Sequence, residues 1–163
     1  MAEEIRVDRE RTTSEVVFLK LTSEDEKPAR VMRLVDQIIK DEGVEYVFGL
    51  TGHGFALEYG VQHLGIKRVH VRHECTAAFA ADAVGRITGK AGVFFTAAGP
   101  AITNAMTGLI QAKYAQSPVV GFLFEHDTLN DGRGTLQEGY SEPLTKSICK
   151  WSYRIASPRT FVI

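Results

Sequence analysis

The sequence has few cysteines, almost no net charge and no long apolar run, and each absence excludes a class of protein. No apolar segment is long enough to span a bilayer, and the residues after Met1 are charged where a signal peptide would be apolar. A formal net charge of −1 gives no electrostatic reason to expect nucleic acid or an anionic membrane as a partner. Cys75 and Cys149 lie far apart without a metal-binding or redox spacing. We therefore expect a globular protein of a reducing compartment, the cytoplasm, that binds neither nucleic acid nor membrane.

The length and the charge pattern predict one domain behind a polar arm. A chain of 163 residues can bury one proper core but not two of ordinary size. Residues 1–27 are rich in charge, and we expect them to form an arm outside the core. The folded domain is predicted over residues 28–163.

From Pro28 onward, helical and strand patterns alternate. The predicted strands are 45–50, 66–71, 91–96, 119–124 and a last one at Trp151–Ile155, and the predicted helices are 28–42, 55–63, 74–88, 100–116 and 142–150. Residues 91–96 form a near-continuous apolar run, as in the strands of parallel sheets. We therefore predict an α/β fold, a mostly parallel sheet with helices on both faces. Ligands of such sheets bind beyond the carboxyl ends of the strands, so chemistry is expected in the loops 51–54, 73–74, 97–100 and 125–139.

Glu74 is the acid best placed for chemistry. It begins a helix that is apolar nearly all round, which predicts a helix buried on all sides. The helix N-terminus would favour the charged form of this carboxyl, while loss of water would favour the protonated form. Such a group is suited to giving a proton to a ligand and taking it back. The alternative is that Glu74 only interacts with the dipole of its own helix.

Other motifs leave two interpretations open. The turn Thr51-Gly52-His53-Gly54 can place backbone N–H groups close to a bound anion. The alternative is that its glycines only allow the positive φ angles of a tight turn. His53, at the tip of that turn, can shift protons near neutral pH or be a solvated loop residue. His73-Glu74 has no second histidine at the spacing of a helical metal site, so no metal ligands are predicted in this chain.

Four segments together resemble the motifs of one family. They are 47–52 (VFGLTG, like FGxPG), 72–89 (RHE followed by an alanine-rich stretch and GRITG), 99–105 (GPAITNA, like GPGATNA) and 136–138 (LQE, like FQE). Through them the chain, from about Pro28 to Ile163, resembles the pyrimidine-binding (N-terminal) domain of thiamine-diphosphate enzymes of the acetolactate synthase and 2-oxo acid decarboxylase type.

The resemblance implies an enzyme, a lyase or transferase that decarboxylates or carboligates a 2-oxo acid with thiamine diphosphate. Glu74 would hydrogen-bond N1′ of the cofactor's aminopyrimidine and activate the cofactor. His53 and Gln137 would be catalytic residues on the substrate side. The residues implied to bind the cofactor are Glu74, Thr51, Gly52, Gly99, Pro100 and Asn104.

The resemblance also implies a partner. Family members hold the diphosphate and Mg²⁺ with a GDG…N motif that this sequence lacks, so a diphosphate-binding domain or subunit is expected to supply both, in a homo- or hetero-oligomer. We also expect that the domain lacks its closing helix. Thr51, Cys75 and Ala101 stand where the family has proline, glutamine and glycine, which leaves the substrate open. The alternative function is a non-catalytic pairing module of the same fold.

Overall fold

The computed structural model of the protein describes residues 28–50, 52, 55–126, 128–139 and 141–155; the predicted arm lies outside them. In chain order the elements are α1 (Pro28–Asp41), β1 (Tyr46–Gly49), α2 (Phe55–His63), β2 (Lys67–His70), α3 (Glu74–Thr88), β3 (Gly92–Thr96), α4 (Pro100–Tyr114), β4 (Val119–Leu123), a 3₁₀ turn (Thr128–Asn130) and α5 (Ser141–Ile148). Among these helices none has both the length and the apolar character needed to cross a bilayer.

The four strands form one sheet in the order β2-β1-β3-β4, and every neighbouring pair is parallel. All five residues of β3 are buried, which explains why this strand is apolar almost without a break. The α/β fold predicted from the sequence is confirmed.

Helices cover both faces of this sheet, and each face has its own core. Residues of α1 and α2 pack with Val47, Val93 and Phe95 on one face. Residues of α3 and α4 pack with Phe94 on the other face. Successive residues of β3 therefore serve opposite cores, as the two-residue period of a strand requires.

Small residues bring α3 and α4 close together. The two helices meet through Ala77, Ala78, Ala105 and Gly108, among others. A Cβ at Gly108 would lie only 2.5 Å from the Cβ of Ala78, so a larger residue there would push the helices apart. This close approach allows polar groups near the N-termini of the two helices to meet directly.

The prediction that α3 is buried on all sides is wrong for this chain. The inner face of the helix, which includes Ala77, Ala81 and Asp82, is buried against the sheet and α4. On the outer face, Phe79 is 40% exposed and Ile87 is 84% exposed. The apolar residues of α3 therefore lie on two faces of the helix. The described part of the chain covers the inner face and leaves Phe79 and Ile87 on the outer face exposed.

The predicted last strand, Trp151–Ile155, is also wrong. These residues pair with no strand, and polar contacts hold the segment beside the loop that follows β4. Arg154 forms ion pairs with Glu125 at 2.6 Å and with Asp131 at 2.7 Å. The apolar and aromatic residues that suggested a strand are instead partly exposed, with the rings of Trp151 and Tyr153 stacked 5.9 Å apart.

Candidate active site

The loops that leave the carboxyl ends of the strands meet at one edge of the sheet, because all four strands are parallel. The chain turns to one face after β1, into α2, and to the opposite face after β3, into α4. Such a reversal opens a crevice between the two strands, where open α/β sheets bind their ligands. Gly52, after β1, lies near Ala97, after β3: a Cβ at position 52 would be 3.0 Å from the Cβ of Ala97.

Glu74 lies at this edge as the first residue of α3, and it is 7% exposed. The residue before it, His73, caps the helix: its backbone is extended and its Nδ1 accepts a hydrogen bond from the N–H of Cys75 at 3.2 Å. The histidine ring thus satisfies one of the N–H groups at the start of the helix. In the described part of the chain, no group of three or more His, Cys, Asp or Glu side chains is arranged to hold a metal ion.

Asn104 of α4 contacts Glu74 directly. Its Nδ2 donates a hydrogen bond to Oε2 of Glu74 at 3.0 Å. Within the described residues this amide is the only hydrogen-bond partner of the carboxylate. The sequence placed both residues at the site, but the bond between them depends on the close approach of α3 and α4, which no local pattern shows.

Gly99 and Pro100 form the turn into α4, and Gln137 lies against that turn. Gly99 has a φ of 55°, and a Cβ at this position would collide with the carbonyl oxygen of Gln137. Gln137 is itself in the left-handed region, with a φ of 62°. The structure therefore shows two sets of contacts among the predicted site residues. Gln137 lies against the Gly99–Pro100 turn, and Asn104 contacts Glu74. Thr51 and His53 lie outside the described residues.

A pocket of about 240 Å³ opens beside the turn into α4. It is lined by Gly99, Pro100, Ile102, Thr103, Glu138, Gly139, Ser141 and Leu144. Sequence reasoning singled out Gly99 and Pro100 but gave no role to Thr103, Glu138 or Ser141. Two of these residues lie in quoted motifs, Thr103 in GPAITNA and Glu138 at the end of LQE, but the motifs gave neither residue a role.

Comparisons with known proteins identify the family of this chain. The family model "Thiamine pyrophosphate enzyme, N-terminal TPP binding domain" matches residues 29–143, well over half of the chain. The chain therefore belongs to the thiamine pyrophosphate enzymes, as a member of their N-terminal, cofactor-binding domain family.

Individual relatives within this family include lyases and synthases. The chain is 37% identical over 141 residues to 2-hydroxyacyl-CoA lyase 2 of Danio rerio, which covers 86% of this chain and 23% of that protein. It is 40% identical over 129 residues to the lyase of the same name in Bos taurus, covering 78% of this chain and 20% of that protein. A probable acetolactate synthase of Mycobacterium bovis is 37% identical over 134 residues, covering 80% of this chain and 24% of that protein. The chain thus spans about a fifth to a quarter of the length of these curated relatives.

Proposed function

We propose that this chain is the pyrimidine-binding part of an enzyme that uses thiamine diphosphate to decarboxylate or carboligate a 2-oxo acid. The observation that carries the proposal is the buried carboxylate of Glu74, held by Asn104 at 3.0 Å at the ligand-binding edge of the sheet. The named relatives are a lyase and a synthase, and breaking and making a carbon–carbon bond are the two directions of such chemistry.

The residues present fit an aminopyrimidine ring. Asn104 satisfies Oε2 of Glu74, which leaves Oε1 of the same carboxylate for a ring nitrogen of a ligand. The glycines at positions 52 and 99 let the loops after β1, β3 and β4 approach one another at this edge, since a Cβ at either position would meet Ala97 or Gln137. When bound, thiamine diphosphate supplies the electron sink that the reaction needs.

In this proposal Glu74 would form a hydrogen bond with N1′ of the pyrimidine when the cofactor is bound. The low exposure of Glu74 would keep water from that hydrogen bond, and the N-terminus of α3 would stabilise the carboxylate. Asn104 fixes the orientation of the carboxylate. Gln137 is the residue proposed to face the substrate from the loop after β4, together with His53 from the turn after β1.

We further propose that a second polypeptide segment completes the site. The relatives are four to five times longer than the matched region, which leaves room in them for a domain that binds the diphosphate and Mg²⁺. The outer faces of α3 and α4 expose the apolar side chains of Phe79, Ile87, Ile110 and Tyr114, which suit burial in an oligomer. The unpaired state of Cys75 and Cys149 fits a cytoplasmic protein.

The test is Glu74→Gln in the enzyme that contains this chain together with its diphosphate-binding segment. Exchange of the cofactor's C2 proton with deuterated solvent is followed by NMR. We expect exchange to slow by about 100-fold or more, since a positioned acid–base group contributes roughly that much. Glu42→Gln, which changes an exposed acid after α1, serves as the control and should exchange like the unmodified protein. Unchanged exchange in Glu74→Gln would refute the role of this carboxylate.

The alternative, a non-catalytic pairing module, is separated by titration with thiamine diphosphate. The cofactor is added to the chain assembled with its partner segment, and binding is measured by calorimetry. Saturable binding that Glu74→Gln weakens supports the enzyme. Assembly without any binding would favour the pairing module.

A further inference from the structure

Glu138 closes the loop that carries Gln137. Its Oε1 accepts a hydrogen bond from the N–H of Gly132, and its Oε2 accepts one from the N–H of Thr135 at 3.0 Å. The backbone N–H of Glu138 donates to the carbonyl oxygen of Thr135, also at 3.0 Å. One carboxylate therefore joins both ends of a turn of seven residues, 132–138.

The electrostatics of the loop favour the charged form of Glu138. The hydrogen bond from Gly132, followed by those from Thr135 and Gly134, holds the pKa of this carboxyl below its ordinary value, although partial desolvation opposes the shift. Glu138 is ionised at neutral pH, so both of its oxygens are acceptors.

The segment next to this carboxylate is held in an unfavourable backbone conformation. Gln137 has a φ of 62°, which is costly for a residue other than glycine and persists only where the surroundings impose it. Its carbonyl oxygen rests on Gly99, and a Cβ at Gly139 would lie 3.1 Å from the Cα of Gly99. Residues 137–139 thus run across the turn into α4, and Glu138 forms part of the wall of the adjoining pocket.

We propose that Glu138 is a positioning residue, which holds the loop 132–138 closed and so keeps Gln137 in place over the Gly99–Pro100 turn. Gln137 in turn contributes to binding the 2-oxo acid; this part of the inference rests on the proposed function above. Glu138 acts through Gln137, whereas Glu74 and Asn104 act on the cofactor. Changes to Glu138 or Gln137 should therefore affect binding of the 2-oxo acid, whereas changes to Glu74 or Asn104 should affect activation of the cofactor.

The first test is amide hydrogen exchange in Glu138→Gln. Glutamine has the length of glutamate but only one oxygen, so its NH₂ group would face one of the two backbone donors and that hydrogen bond would be lost. We expect exchange at Gly132 or Thr135, and along residues 136–139, to become about tenfold faster, the change that one lost hydrogen bond of ordinary strength gives. Glu142→Gln is the matched control, because Glu142 lies nearby on α5 with its carboxylate paired to Lys146. Unchanged exchange in Glu138→Gln would overturn the proposal.

The second test measures the assembled enzyme. Glu138→Gln should raise KM for the 2-oxo acid at least fivefold while the C2 proton exchange of the cofactor stays normal, because the Glu74–Asn104 pair is untouched. When Glu138→Gln is added to Gln137→Ala, kcat/KM should fall no further, as expected for residues that act as a unit. A full additional loss in the double variant would show that Glu138 does not act through Gln137.

These outcomes are distinct from failure of the proposed function. A protein that binds no thiamine diphosphate, or whose C2 proton exchange does not depend on Glu74, would refute the proposed function. The amide exchange of Glu138→Gln requires no cofactor and would then still decide the positioning role: faster exchange at residues 132–139 supports it, and unchanged exchange overturns it.

Discussion

Two buried aspartates on opposite faces of the sheet are expected to respond to pH with opposite signs. Asp36 of α1 is 2% exposed and packs against Gly60 of α2, and burial raises its pKa from 3.8 to about 6. Asp82 of α3 is 4% exposed. Burial also opposes its ionisation, but hydrogen bonds from Arg86 and Ser117 outweigh that effect and lower its pKa.

The sign for Asp36 follows from the raised pKa. The folded protein binds the proton of Asp36 more tightly than the unfolded chain does, so the stabilisation is present below pH 4 and is lost as the pH rises through about 6. A shift of about two units, at 1.36 kcal/mol each, corresponds to about 3 kcal/mol at pH 8. Because an asparagine side chain cannot ionise, Asp36→Asn should raise the free energy of unfolding at pH 8 by up to that amount. At pH 4 the change should be small.

Asp82 should behave in the reverse way. Its ionised form is favoured in the folded state, so this contribution is present above the ordinary pKa of aspartate and is lost as the pH falls through the lowered value. Asp82→Asn should lower the free energy of unfolding at pH 8 by about 1.5–3 kcal/mol, the range for hydrogen bonds to a charged group. The loss should shrink below pH 4.

Both variants can be measured by urea denaturation of the chain, followed by circular dichroism from about pH 3 to pH 8, so that the fall below pH 4 expected for Asp82 is included. Glu42→Gln, at an exposed acid, controls for the change in net charge. A loss of stability at pH 8 in Asp36→Asn, or a gain that does not depend on pH, would refute the reasoning that Asp36 is a desolvated carboxyl whose ionisation opposes folding.

Three further predictions follow from single contacts. Asn104→Ala removes the hydrogen-bond donor to Glu74 and should slow C2 proton exchange of the bound cofactor about tenfold, the effect expected for the loss of one ordinary hydrogen bond. NMR measures this rate, and a normal rate would show that the contact is not needed. Gly99→Ala combines a φ of 55° with a collision against Gln137, and urea denaturation should show a loss of about 1–3 kcal/mol. Phe94→Ala empties the core between the sheet and α3, and should cost about 3–5 kcal/mol in the same assay; a cost below about 1 kcal/mol would contradict its burial.

The fold was predictable where local pattern and tertiary environment agree. The bounds of α2, Phe55–His63, and the end of α3 at Thr88 match the predictions, because glycines at positions 65 and 89 with positive φ end both helices. Trp151–Ile155 could not be assigned correctly, since its contacts with Glu125 and Asp131 are set by distant parts of the chain.

For the candidate site, the sequence indicated a set of residues but not the contacts between them. Motifs indicated Glu74, Asn104 and Gly99, and the structure places all three at the carboxyl edge of the sheet. The LQE motif contains Glu138 but does not indicate the positioning role proposed for it, because a glutamate that accepts backbone hydrogen bonds in a loop cannot be told from a solvated acid by sequence. Which residues face the substrate stays a prediction.

The division of α3 into two surfaces has a consequence for engineering. Its inner side fixes the spacing between Glu74 and Asn104 through contacts of backbone and alanine, while Phe79 and Ile87 project from the opposite side. Substitutions on the exposed side can therefore be made without touching the contact between Glu74 and Asn104. Polar substitutions at Phe79 and Ile87 would test the proposed association with copies or partners while the acid and its amide keep their positions.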